Sequence, residues 1–216
     1  MSNMFRGDNP FFEFLSKLGD LMLVSVLWFV FCIPVVTIGP STAALYYTVN
    51  KAVRCGEGYV WKNFWHSFKT NAKQGIAIWL IMLAVGLLIA FDAFFMRETK
   101  AEGKVATVLT IFYYVVLVAE AMLACYIFPY LARFSDTVKQ TFKNAALMAV
   151  AYFPRTLLCL VIFVASAFLI RIIPILLFVV PGVAMYLLNR VLEKVFYQQM
   201  SEEQKEEEDR KREMNF

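Results

Sequence analysis

Two ionisable residues stand inside long apolar runs: Glu120 in VVLVAEAMLACYIF and Arg155 in AVAYFPRTLLCLVIF. A charged group in hydrocarbon is costly, so it turns toward the protein interior, a partner or water, and such residues mark polar pathways and relays. Glu120 lies 13 residues from Arg133, and Arg155 lies 12 from Lys143. At about 1.5 Å per residue, both sit roughly 18–20 Å from the basic residues that close their segments. Consecutive antiparallel spans would then juxtapose them. The expectation is a Glu120–Arg155 pair, which can either serve a polar pathway or switch or simply hold helix register.

A second constellation is a helix break, with Pro34, Thr37, Gly39 and Pro40 followed by Ser41, Thr42, Ala43 and Ala44. Pro34 removes a backbone donor, and Gly39-Pro40 is expected to break or kink the helix. Carbonyls freed at membrane depth need partners, and the hydroxyls of Thr37, Ser41 and Thr42 are close at hand. The small residues allow helices to approach closely. A broken helix can build a substrate or ion site, or it can turn the chain onto the interface.

Other chemistry is sparse. His66 is the single histidine and has no second ligand at metal spacing. Cys32, Cys125 and Cys159 fall in apolar runs, Cys55 stands apart, and no pair has C-x-x-C spacing. The phosphate-loop, dinucleotide, zinc-protease and nucleophile-elbow motifs do not occur. The expected lists of catalytic residues, cofactors and metal ligands are therefore empty.

The elements that carry these residues follow from composition. Hydrophobic residues make up 60% of the chain and charged residues 18%, with a mean hydropathy of +0.61. Soluble domains carry about a quarter charged residues, so lipid is the solvent this composition suits. The expected fold is all-α, a polytopic transmembrane helical bundle of about five spans at 21–38, 76–96, 105–131, 145–170 and 172–188. Each approaches the roughly 20 apolar residues a bilayer requires. Residues 10–20 and 59–73 read as amphipathic interfacial helices. In the second of these, Trp61, Phe64, Trp65 and Phe68 share one face, with Lys62, Lys69 and Lys73 supplying charge. Residues 1–200 thus form one membrane domain, and 201–216 a charged cytoplasmic tail. No cleaved leader is expected, because the first 20 residues mix acidic and basic groups with aromatics, and the first span is expected to act as its own insertion signal.

Net charge is +4, but the basic residues sit in short loops and not on one face, which argues against nucleic acid and for lipid headgroups. The loops at 50–75, after 131 and after 188 are richer in Lys and Arg than those at 97–104 and 171. Placing them inside puts the C-terminus in the cytoplasm. The N-terminus is external if 21–38 is a true span, and cytoplasmic if 21–55 is a hairpin.

The stretch Ile33-Pro34-Val35-Val36-Thr37-Ile38-Gly39-Pro40-Ser41-Thr42-Ala43-Ala44-Leu45-Tyr46-Tyr47, with Asn9-Pro10, Asp20-Leu21, Phe64, Phe68-Lys69 and Asn71, resembles the YesL-like family of bacterial membrane proteins. Only the Pro-x-x-Thr-x-Gly-Pro core of that match is specific. The resemblance implies a multi-pass cell-membrane protein of Gram-positive bacteria with no assigned biochemistry. It also implies an association with carbohydrate ABC transporter subunits, and it supplies no catalytic residues. The expected function is a non-enzymatic accessory or regulatory component linked to carbohydrate uptake. The alternative is a small transporter or channel with its polar centre at Glu120 and Arg155.

Overall fold

The computed structural model describes residues 10–56, 59–98 and 104–200, with isolated helical positions at 202, 206 and 210. The rest of the charged tail expected at 201–216, like residues 1–9, lies outside the described residues. Every regular element described is helical: α1 (Pro10–Cys32), α2 (Ile38–Thr48), α3 (Val60–Glu98), α4 (Lys104–Arg133), α5 (Val138–Ala151), α6 (Phe153–Ile172) and α7 (Val180–Gln199). Short 3-10 turns occupy Val35–Thr37 and Pro174–Phe178, and a π-helical segment, Val49–Arg54, extends α2. The all-α expectation holds.

Four segments are long and apolar enough to cross a bilayer: Leu15–Cys32, Val60–Phe95, Thr107–Arg133 and Phe153–Ile172. They mark the chain as a membrane protein. Their outward faces carry large apolar side chains, among them Leu88, Phe91, Val108 and Phe168, as helices solvated by lipid should.

Prolines move several expected boundaries. The stretch expected as a fifth span, 172–188, is not one helix. It is cut by the 3-10 turn that Pro174 starts, and α7 begins only at Val180, with Pro181 in its first turn. The expected fourth span, 145–170, is interrupted at Tyr152. Residues up to Ala151 belong to α5, whose start is closed by a capping box between Thr137 and Gln140, and Pro154 opens α6. Proline has no N–H to give and fits the first helical turn, so each of these residues begins a helix where hydropathy alone reads continuity. Conversely, the two amphipathic segments are not separate helices. Residues 10–20 run straight into α1. Residues 60–73 are the first turns of the 39-residue α3, about 58 Å long at the standard rise.

The break in the first segment lies earlier than Gly39-Pro40. Helix α1 stops at Cys32, the chain reverses over Ile33–Thr37, and Gly39-Pro40 sits in the first turn of α2, where proline costs no helical hydrogen bond. Side chains close the reversal. The Thr37 hydroxyl lies 2.6 Å from the Phe31 carbonyl and 2.7 Å from that of Pro34. Ser41 donates to Phe31 at 3.1 Å, Thr42 donates to Ile38 at 2.8 Å, and the Trp28 indole donates to Thr42 at 3.2 Å. The result is a helical hairpin with an exposed apolar tip of Ile33, Val35 and Val36.

Two backbone crossings bring the elements together. A Cβ on Gly39 would strike the Gly75 carbonyl oxygen of α3 and stand 2.8 Å from Trp79 Cβ, and a Cβ on Gly75 would lie 2.9 Å from the Pro40 nitrogen. A Cβ on Gly182 of α7 would strike the Leu21 carbonyl of α1 and stand 2.7 Å from Ser25 Oγ. Ser25 Oγ accepts from the Gly182 N–H at 2.8 Å and donates to Leu21 at 2.7 Å. Around these crossings Tyr46, Phe64, Ile78, Tyr126, Leu192 and Phe196 form the buried core.

Alanine at Gly39 or Gly182 should therefore cost about 1–3 kcal/mol by overpacking. Alanine at Gly19, where a Cβ meets nothing within 4 Å, should be neutral or stabilising by up to about 1 kcal/mol. Thermal unfolding of the three purified variants in detergent measures the difference, and equal midpoints would show that the crossings are not tight.

Candidate functional site

Helix α7 buries one stripe against the bundle: Gly182, Met185, Leu188, Asn189, Leu192, Glu193 and Phe196. Spacings of three and four residues place these on one helical face. Two members of the stripe are polar. Asn189 is wholly buried and Glu193 is 4% exposed, while Arg190 and Lys194 face outward.

A buried carboxylate needs several donors, and Glu193 finds them on three other segments. Its Oε1 accepts from the Tyr46 phenol at 2.6 Å and from Asn50 Nδ2 at 3.2 Å. Its Oε2 lies 3.5 Å from Arg133 Nη2, at the end of α4, and 3.7 Å from Arg54 Nη1. Arg54 Nη1 also donates to Asn50 Oδ1 at 3.2 Å and to Asn189 Oδ1 at 3.1 Å. Burial, then the adjacent Glu193 charge, pushes the Tyr46 phenol well above its usual range. The phenol thus stays a donor to the carboxylate.

The π-helical segment is what aligns the donors. Four residues of α-helix overshoot a full turn by about 40°. The wider π turn, closed here by the Cys55 N–H on the Asn50 carbonyl at 3.1 Å, falls short of a turn over the same four residues. The step from Tyr46 to Asn50 is mostly α-helical and the step from Asn50 to Arg54 is π-helical. The two rotations offset each other, and all three side chains reach α7. Phe196 completes the packing, edge-on to Tyr46 with ring centroids 6.1 Å apart and to Phe134 at 5.8 Å.

The structure does not bring Glu120 and Arg155 together. Glu120 faces Gly86 of α3, where a Cβ would lie 3.6 Å from both of its carboxylate oxygens. Arg155 is stacked over Tyr152 at 5.3 Å and donates to Gln198 at 3.5 Å. The break at Tyr152 puts Arg155 in the first turn of α6, so counting from Lys143 along one helix overstates its depth. Of the helix-break residues, Thr37 caps the reversal and Gly39 and Pro40 form the contact with α3, while Pro34 lies exposed at the tip. None of the four reaches the Glu193 centre. His66 lies against Tyr47 at 6.1 Å, and Asp92 accepts from Tyr113 at 3.3 Å.

In the sequence Glu193 and Asn189 belong to no motif, and Arg54 and Arg133 read as loop charge. The signal was present, since Asn189 and Glu193 occupy stripe positions on which Met185, Leu188, Leu192 and Phe196 set an apolar expectation. A family model described as "Protein of unknown function, DUF624" matches residues 21–93. That match includes Tyr46, Asn50 and Arg54 but stops short of Arg133, Asn189 and Glu193. No curated protein and no solved structure matches the chain.

Replacing Glu193 with alanine should cost about 2–4 kcal/mol, because it takes the shared acceptor from the buried Tyr46 and Asn50 donors. Tyr46→Phe should cost about 1–3 kcal/mol by stripping a donor from the carboxylate. In a double-mutant cycle of Tyr46→Phe with Glu193→Gln, unfolding should show a coupling of at least about 0.5 kcal/mol. Strict additivity would mean that the short Tyr46–Glu193 bond contributes nothing.

Proposed function

We propose that the protein is a non-enzymatic accessory or regulatory component of the cell membrane, with the Glu193 centre as the clasp that sets its conformation. The observation that supports this most directly is convergence. One buried carboxylate takes groups from α2, the π-helical segment and α4 onto α7. Such a centre couples the placement of the elements it joins, because removing Glu193 deprives the buried Tyr46 and Asn50 donors of their shared acceptor. A regulatory signal acts on a local charge or packing contact that joins several elements, and the Glu193 centre is such a contact.

The resemblance to the YesL-like family extends the proposal to the partner, namely the membrane subunits of a carbohydrate uptake transporter. The exposed apolar faces of α3, α4 and α6 are surfaces that lipid or a partner's membrane helices can cover. A cytoplasmic C-terminus follows from the positive-inside pattern of the loops. The transport alternative has less behind it, because Glu120 and Arg155 face different neighbours.

Affinity purification of the tagged full-length chain in mild detergent from its native membranes tests this reading. A transporter permease subunit should co-purify, and Glu193→Gln should lower its recovery by several-fold at equal amounts of bait. Recovery no greater than from a tagged unrelated membrane protein would remove the accessory role.

A further inference from the structure

We propose that α1 and α2 form a re-entrant hairpin seated in one leaflet only. The acyl chains of the cytoplasmic leaflet cover its apolar face, and the chain enters and leaves the membrane on the same side. This is independent of which protein partner is served. The first observation is depth. Helix α2 runs antiparallel to the first turns of α3, since Gly39 meets Gly75 and Trp79 while Tyr47 lies against His66 at 6.1 Å. The reversal that precedes α2 packs on α3 as well. Nineteen residues of α3 follow Trp79 up to Glu98, about 29 Å of helix and nearly the full thickness of a hydrocarbon core. Leu87, Leu88, Phe91 and Phe95 give that part an exposed apolar surface. The hairpin therefore stops where the crossing part of α3 begins, and its tip reaches the near leaflet and no further.

The second observation is the chemistry of the tip. Ile33, Val35 and Val36 are exposed there, and Met22, Val26 and Val30 are exposed along α1, at the spacing of one helical face. A tip that emerged beyond the bilayer would hold this surface in water, whereas in hydrocarbon it needs no cover. The reversal also supplies its own hydrogen bonds, as backbone in lipid requires. Pro34 has no N–H to satisfy. The Thr37 N–H donates to the Pro34 carbonyl at 2.9 Å, and the Ser41 hydroxyl donates to the Phe31 carbonyl at 3.1 Å.

The third observation is the return arm. Helix α2 and the π-helical segment have 11 and 6 residues, fewer than the roughly 20 that a full crossing requires. The arm ends on Asn50, Lys51 and Arg54, and most of α2 is buried, so α1 is the arm that faces lipid. Basic residues stand at both ends of the hairpin, Lys17 on the way in and Lys51 and Arg54 on the way out. The positive-inside bias puts that side in the cytoplasm. Helix α4 ends at the same level, where Arg133 meets the Glu193 centre.

Cysteine accessibility in native membranes tests the hairpin. Single cysteines are placed in the full-length chain after Cys32, Cys55, Cys125 and Cys159 have been replaced by alanine. A membrane-impermeant maleimide is then added to right-side-out and to inverted vesicles. Lys194→Cys reports the face at the Glu193 centre and Arg171→Cys the opposite face, both positions being exposed. Ser16→Cys, exposed on the entering arm, should label with Lys194→Cys, several-fold faster in inverted vesicles. Val35→Cys should label from neither face and react once detergent has dissolved the bilayer. If Val35→Cys does not fold or does not react in detergent, Val36→Cys replaces it and must behave as expected of Val35→Cys. The proposal is overturned if Ser16→Cys labels with Arg171→Cys, because α1 then crosses. It is overturned equally if the tip cysteine labels from either face, because the hairpin then passes through the bilayer or lies outside it.

Discussion

A carboxylate withheld from water must be surrounded by donors, and much of this fold is arranged to meet that demand at Glu193. The requirement reaches across the chain. Tyr46 comes from the second arm of an N-terminal hairpin, Asn50 and Arg54 from the π-helical turn that extends it, and Arg133 from the last turn of α4. An uninterrupted α-helix would have drifted by about 80° between Tyr46 and Arg54, and the π turn offsets part of that drift. The π turn is the local irregularity through which three donors share one line, which accords with the tendency of such turns to occur at functional positions.

The rest of the assembly relies on closeness more than on hydrophobic drive, since lipid is as apolar as the side chains it would replace. Gly39 against Gly75, and Gly182 against Leu21 and Ser25, bring backbones nearly into contact. The Ser25 hydroxyl serves both helices at its crossing. The second crossing seats the start of α7 on α1, which lets the later turns of α7 carry Asn189 and Glu193 to the arginines. The clasp and the small-residue crossings are thus two parts of one arrangement. Glycine permits the approach, and the polar centre sets where along the helices the approach ends.

Much of this was legible beforehand. The all-α class and the apolar cores of α3 and α4 follow from long runs that no proline interrupts until Pro129, near the end of α4. Helix starts at Pro154, Pro174 and Pro181 are not legible from hydropathy, because each lies inside an apolar stretch and a hydropathy window averages over the break. The proposed Glu120–Arg155 pair fell at such a break, since its depth count assumed one helix from Lys143 through Arg155. The true polar centre was hidden for another reason. Glu193 lies in a stretch with Arg190 and Lys194, and by composition it reads as solvated charge. Only its position on the stripe of Met185, Leu188, Leu192 and Phe196 separates it from those neighbours.

Sequence by itself therefore determined the solvent, the helical class and the positions at which backbones can meet. Each depends on local composition: apolar side chains for the solvent, long apolar runs for the helical class and small side chains for close crossings. Which charges are buried together was decided only by tertiary structure. Tyr46, Asn50, Arg54, Arg133, Asn189 and Glu193 are spread over most of the chain, and no spacing rule links them. They become one site because α7 crosses α1 at Gly182 and the π turn re-aims Arg54, and both conditions exist only once the helices have packed.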